Sequence, residues 1–118
     1  MAERRYRDIA DAADRIRAAR EAARAAAVPI VIDVRTDLYL GNIGDEAARF
    51  DETVAGGKAY LAAGADCFYP IAVRDPPTIA RLVKALSAPI DIYVRAGLPG
   101  GVELEALGVA RASTATAV

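Results

Sequence analysis

Histidine is absent from this chain, tryptophan is absent too, and cysteine occurs once among its 118 residues. Without histidine, the Ser-His, Cys-His and His-metal chemistries are out of reach. A lone cysteine cannot close an internal disulfide, and with no histidine beside it no zinc cage can form. Long apolar runs are missing as well. None approaches the roughly 20 residues that span a bilayer, and the opening Met-Ala-Glu-Arg-Arg-Tyr-Arg has no secretory apolar stretch. Nor is there an excess of either charge: 15 basic against 16 acidic side chains leave a formal −1. That balance offers no footprint for nucleic acid or for an anionic membrane. The expectation is a cytoplasmic protein with neither as a partner. What is present is 54% hydrophobic and 26% charged residues, the make-up of one globular domain spanning 1–118.

Strand and helix signals alternate along the chain. Glu3 to Ala27 reads as an alanine-rich helix, with Tyr6, Ile9, Ala13, Ile16 and Ala23 on one face. Arg4, Arg7, Asp11, Arg17 and Arg20 fall on its other faces. Val28-Pro29 stops it, and Pro29 to Arg35 is a β-branched run without alternation, the pattern of a strand covered on both faces. After a glycine-punctuated loop, Asp45 caps a helix to about Ala63, with Phe50, Val54, Lys58 and Leu61 along one side and Gly64 as its C′ residue. Asp66–Ile71 is the second strand. Asp75 and Pro76 open a third helix that points Ile79, Leu82, Val83 and Leu86 inward. Pro89–Val94, a short helix Val102–Leu107 and a weak strand Val109–Ser113 complete an α-βα-βα-βα-β order. Such alternation predicts an α/β fold with a parallel sheet and right-handed crossovers.

One segment is more specific. Asp33-Val-Arg-Thr-Asp37 resembles the Asn-Ala-Arg-Thr-Asp strand end of the isocitrate lyase and phosphoenolpyruvate mutase superfamily. Its neighbours agree in order: Arg15-Ile-Arg-Ala-Ala-Arg-Glu-Ala-Ala23, Ala59-Tyr-Leu-Ala-Ala-Gly-Ala-Asp-Cys67, Arg74-Asp-Pro-x-Thr-Ile-Ala-Arg-Leu-Val83 and Leu107-Gly-Val-Ala-Arg111. Family members are (β/α)8 barrels, which take about 250 residues. The resemblance therefore implies half a barrel, strands five to eight, with the fourth helix in front. An open flavodoxin-like sheet is the alternative. The resemblance also implies magnesium as cofactor, while placing its acidic ligands and the Lys-Lys-Cys-Gly-His loop in the half not represented here. Ile71 stands where the methylisocitrate-lyase branch carries glutamate, which argues against that branch.

Arg35 falls at the carboxyl end of a parallel strand, where barrel active sites are built. Its fork suits a carboxylate or phosphonate, and the resemblance gives it the substrate carboxylate. A salt bridge to Asp37 or Asp33 is the competing reading. Asp33 and Asp91 both stand where the family has asparagine, so each replaces a donor by an acceptor. Beside an anionic substrate they repel it, unless they recruit a cation; otherwise they are solvated rim acids. Gly97-Leu-Pro-Gly-Gly101 could present backbone N–H groups to an anion, but lacks a phosphate-loop spacing and reads first as a turn. Cys67 reads as a small buried hydrophobe, Tyr39 as a surface aromatic or a ligand cover, and Glu103 and Glu105 as helix surface.

Four strands cut from a closed barrel would expose two edges and an apolar inner face, so a homodimer or a second chain completing the barrel is expected. Three functional readings follow: a fragment of a magnesium-dependent lyase or mutase working on C–C or C–P bonds of small 2-oxo-acid-like substrates, inactive alone; a non-catalytic binding module for a small carboxylate or phosphonate; and a structural partner in a split barrel.

Overall fold

A computed structural model describes residues 8–41, 43–94 and 101–114. The elements run α1 (Ile9–Ala25), β1 (Asp33–Thr36), α2 (Glu46–Ala62), β2 (Cys67–Pro70), α3 (Pro76–Leu86), β3 (Asp91–Tyr93), α4 (Gly101–Ala106) and β4 (Arg111–Ser113). The α/β alternation is as the sequence predicts. Residues Glu3 to Arg7, including Arg4, Tyr6 and Arg7, and positions 97–100 of the glycine loop lie outside the described residues.

All pairing is parallel. β1 pairs with β2 (Asp33 opposite Cys67, Arg35 opposite Tyr69) and β3 with β4 (Asp91 opposite Arg111, Tyr93 opposite Ser113). A bridge between Phe68 and Ile90 joins the two pairs, supported by the Phe68 N–H donating to Pro89 O at 3.1 Å. The spatial order is therefore consecutive, β1-β2-β3-β4. A flavodoxin-like sheet would seat its first strand between the second and third. The consecutive order is that of a barrel wall, and it removes the open-sheet alternative.

Local chemistry explains the element ends. The Asp45 carboxylate accepts from Ala48 N at 2.8 Å and Asp75 from Thr78 N at 3.1 Å, each satisfying an orphan helix donor. Pro76 stands in the first turn of α3. Gly64 has φ +119°, a left-handed conformation that lets the chain leave α2.

Two expectations change. The first strand begins only at Asp33, and Val28, Ile30 and Val31 are exposed, Val31 by 69%. Among the described residues no strand flanks β1 on that side, so the apolar run lacks the cover its composition suits. The buried side of α2 is also rotated from the expected one. Thr53, Gly56, Gly57 and Tyr60 face inward, Phe50, Val54 and Leu61 are half-buried, and Lys58 is exposed. Gly57 sets this phase. A Cβ there would meet Leu86 Cδ2 at 2.8 Å and Phe68 Cε2 at 3.2 Å, so the side chains of Leu86 and Phe68 pack directly onto the α2 backbone.

The core lies between sheet and helices. Phe68, Ile90 and Ile92 point outward from the sheet into Ile79, Leu82, Leu86, Tyr60 and Leu104. Helix α1 adds Ala13 and Ile16. Its Arg20, placed off the apolar face by its spacing, reaches across to the sheet. Nε and Nη2 donate to Gly64 O at 3.0 and 2.8 Å, and Nη2 pairs with Asp66. Asp66 in turn accepts from Ile32 N at 2.9 Å, so one guanidinium ties α1 to the entries of β1 and β2.

Candidate functional site

Side chains alternate along a strand, and with Phe68, Ile90 and Ile92 committed to the helices, the opposite face carries the remainder. That face holds Asp33 and Arg35 from β1, Cys67 and Tyr69 from β2, Asp91 and Tyr93 from β3, and Arg111 and Ser113 from β4. The expected inner face was apolar; the observed one is polar and bears charges of both signs. Continuing the parallel register from the Phe68–Ile90 bridge aligns Arg35, Tyr69, Asp91 and Arg111 in one row across the sheet.

Arg35 is the penultimate residue of β1, at its carboxyl end. Its Nε donates to Asp37 Oδ1 at 2.5 Å, which raises the guanidinium further above its ordinary range. The ion-pair reading with Asp37 thus holds. It occupies one edge of the fork and leaves the terminal nitrogens without a protein acceptor among the described residues. Tyr69, in register beside it, feels both Arg35 and Asp91; burial chiefly raises its phenol.

Asp33 and Asp91, far apart in sequence, come together. Asp91 is fully buried, and its Oδ2 accepts from Ser113 Oγ at 2.6 Å. Its Oδ1 and Asp33 Oδ1 are both buried with no donor. Burial first, then a hydrogen bond to Asp33, push the Asp91 carboxyl up to about 6. Arg111 stands over both acids, 3.9 Å from Asp33 Oδ2 and 4.0 Å from Asp91 Oδ2. Neither acid is a solvated rim residue, and the cation they recruit is this arginine. Arg111 was not among the expected site residues. The signal for it lies in position: it opens a strand whose register partner is Asp91.

Cys67 is buried, and its thiol is pushed up to about 12, by desolvation and then by Asp33. It is a packing residue, not a nucleophile. Tyr39 turns away from the site. Its charged neighbours are Arg49 and Glu46 in the first turn of α2, Asp75 at the cap of α3 and Arg81 midway along it, with the Arg49 guanidinium 5.5 Å from the ring centre. It is half-buried against the core rather than a surface aromatic. Glu103 and Glu105 are exposed on α4.

The model of the family described as phosphoenolpyruvate phosphomutase matches residues 1–118. This chain belongs to that family. Among solved structures it is similar to a protein assigned as a phosphonomutase from Burkholderia cenocepacia J2315, at 40% identity and TM-score 0.84, over 92% of this chain and 44% of that one. A protein from the same organism assigned as a lyase/mutase matches at 35% identity and TM-score 0.83, over 94% and 39%. A 2,3-dimethylmalate lyase of the phosphoenolpyruvate mutase/isocitrate lyase superfamily shares the fold at 23% identity and TM-score 0.81, over 94% and 39%. No curated protein matches. The chain thus spans about two-fifths of the length of these family members, and its four consecutive strands form part of their barrel.

The superfamily is magnesium-dependent in general, and the described residues do not fit that ion. Among them, no group of three or more histidine, cysteine, aspartate or glutamate side chains is placed to hold a metal. The one close carboxyl pair already faces Arg111. Among the described residues no helix is long and apolar enough to cross a membrane.

Proposed function

We propose that this chain carries the substrate-anion side of a lyase or mutase barrel acting on C–C or C–P bonds of small 2-oxo-acid-like substrates. Arg35 grips a carboxylate or phosphonate through its free terminal nitrogens. The single observation behind this reading is that fork, at the carboxyl end of a parallel strand and beside Tyr69, in a member of this family. The metal and the catalytic loop would come from the remaining part of the barrel, so the chain alone is expected to bind without turning substrate over. That complement would be a second chain, since a second copy of this one would close the barrel without bringing the metal ligands; the open side of β1 and its exposed Val28, Ile30 and Val31 support a neighbour there.

The absence of a metal-fitting cluster among the described residues favours one further reading, a non-catalytic small-carboxylate module. Calorimetric titration with oxalate, a planar mimic of a pyruvate enolate, separates the two. Binding that disappears in Arg35→Ala, and that strengthens with magnesium once the complementary part of the barrel is added, supports the enzyme reading. Binding with the same sensitivity to Arg35 that stays magnesium-independent even with that complement supports the module. No heat from a folded sample in either buffer would overturn both.

A further inference from the structure

Between them, Asp33 Oδ1 and Asp91 Oδ1 present two buried acceptors and no donor. The groups facing them are Arg35 on β1, Cys67 and Tyr69 on β2, Tyr93 on β3, and Arg111 and Ser113 on β4. Ser113 spends its proton on Asp91 Oδ2. Cys67 and Tyr69 keep their protons, both being raised by burial. Arg111 lies beyond hydrogen-bond distance of either acid and supplies one positive charge for the two. Two carboxylates in contact in such a place cannot both stay ionised; one proton between them satisfies both orphan oxygens.

We propose that Asp33 and Asp91 share a single proton and act as a specificity-determining pair, setting the charge beneath the Arg35 anion site. With the proton in place, the pair carries −1 and Arg111 cancels it, leaving a neutral floor that tolerates an oxo-acid anion. Without it the floor is −1 and repels the same anion. The burial and mutual contact that hold the Asp91 carboxyl near 6 put this change within the range where enzymes work. The charge-selection part rests on the anion-binding reading of Arg35; the shared proton does not.

The test uses the full chain, with oxalate as probe. Its affinity should fall about tenfold per pH unit once the shared proton is lost, because only the protonated fraction is competent to bind. In Asp91→Asn, and separately in Asp33→Asn, the floor can no longer gain the second negative charge, so the profile should flatten with affinity kept at pH 8. A flat wild-type profile, or an unchanged slope in both variants, would overturn charge selection. Carboxyl carbon resonances of labelled aspartate, titrated without ligand, read the proton directly. One resonance titrating well above the ordinary carboxylate range, and lost in Asp91→Asn, supports the pair even where oxalate fails to bind. Ordinary titration of both resonances overturns it even where oxalate binds. Failure of the pair and failure of the Arg35 reading are thus distinguishable.

Discussion

At the scale of single residues, two aspartates pull the chain's response to pH in opposite directions. Asp66 is held below the usual carboxylate range, first by the Ile32 N–H and then by Arg20. A lowered folded-state value contributes stability at pH above the ordinary carboxylate value, and that contribution is lost as pH falls through the lowered one. Asp91 is raised to about 6, so the folded state binds the extra proton. Stability therefore drops as pH climbs from about 4, the unfolded carboxylate value, to about 6, and levels off beyond. The expected outcome is a thermal stability maximum in mild acid. Melting temperatures of Asp66→Asn should lose the acid limb, and those of Asp91→Asn the limb between pH 4 and 6. Asp91 is also where reading the sequence stopped short. That two acids replaced two amides was plain from the chain; that they touch was not, because twist and register bring β1 and β3 together across an intervening strand. The reach of Arg20 was hidden as well: an arginine's stem reaches neighbours that helical spacing does not reveal.

Elements were more legible at their ends than along their faces. Asp45, Asp75, Pro76 and Gly64 mark helix boundaries through chemistry local to each, and the structure places all four as read. The face of α2 depends on what it meets, and there two adjacent glycines outweigh the pattern of larger side chains. Because Gly57 packs against Leu86 and Phe68, Gly57→Leu forces a branched side chain into filled space, an overpacking cost of about 1–3 kcal/mol or more. The urea midpoint should fall accordingly. A matching loss is not expected from a leucine at the exposed Lys58 one residue on. The strand before Asp33 was over-extended for a related reason. Val28 to Val31 has the composition of a buried strand, and composition states what a segment suits, not what lies beside it.

For the whole molecule, consecutive parallel pairing leaves β1 with an unpaired side among the described residues, preceded by exposed valine and isoleucine. An unprotected edge of this kind templates association. Sedimentation of the chain should show concentration-dependent self-association. Val31→Lys, which charges the most exposed of the three positions, should shift the population towards monomer while leaving the circular dichroism unchanged. A monomer at all concentrations would instead mean that the edge is not a contact. The family likeness made the barrel origin readable from five short segments. It said nothing of how the inner face is charged, since two of the residues that set that charge depart from the pattern.

A sheet face covered in aliphatic side chains adheres to whatever apolar surface reaches it. The face bearing Arg35, Tyr69, Tyr93 and the Asp33–Asp91–Arg111 group does not. The core that holds this chain together lies wholly on the helix side, around Phe68, Ile79, Leu82 and Ile90, so folding and closure draw on separate surfaces. Any neighbour seated on that face would have to answer a guanidinium and two phenols with groups of matching polarity. Association through this face would therefore be a matter of recognition, unlike association through the apolar edge before β1.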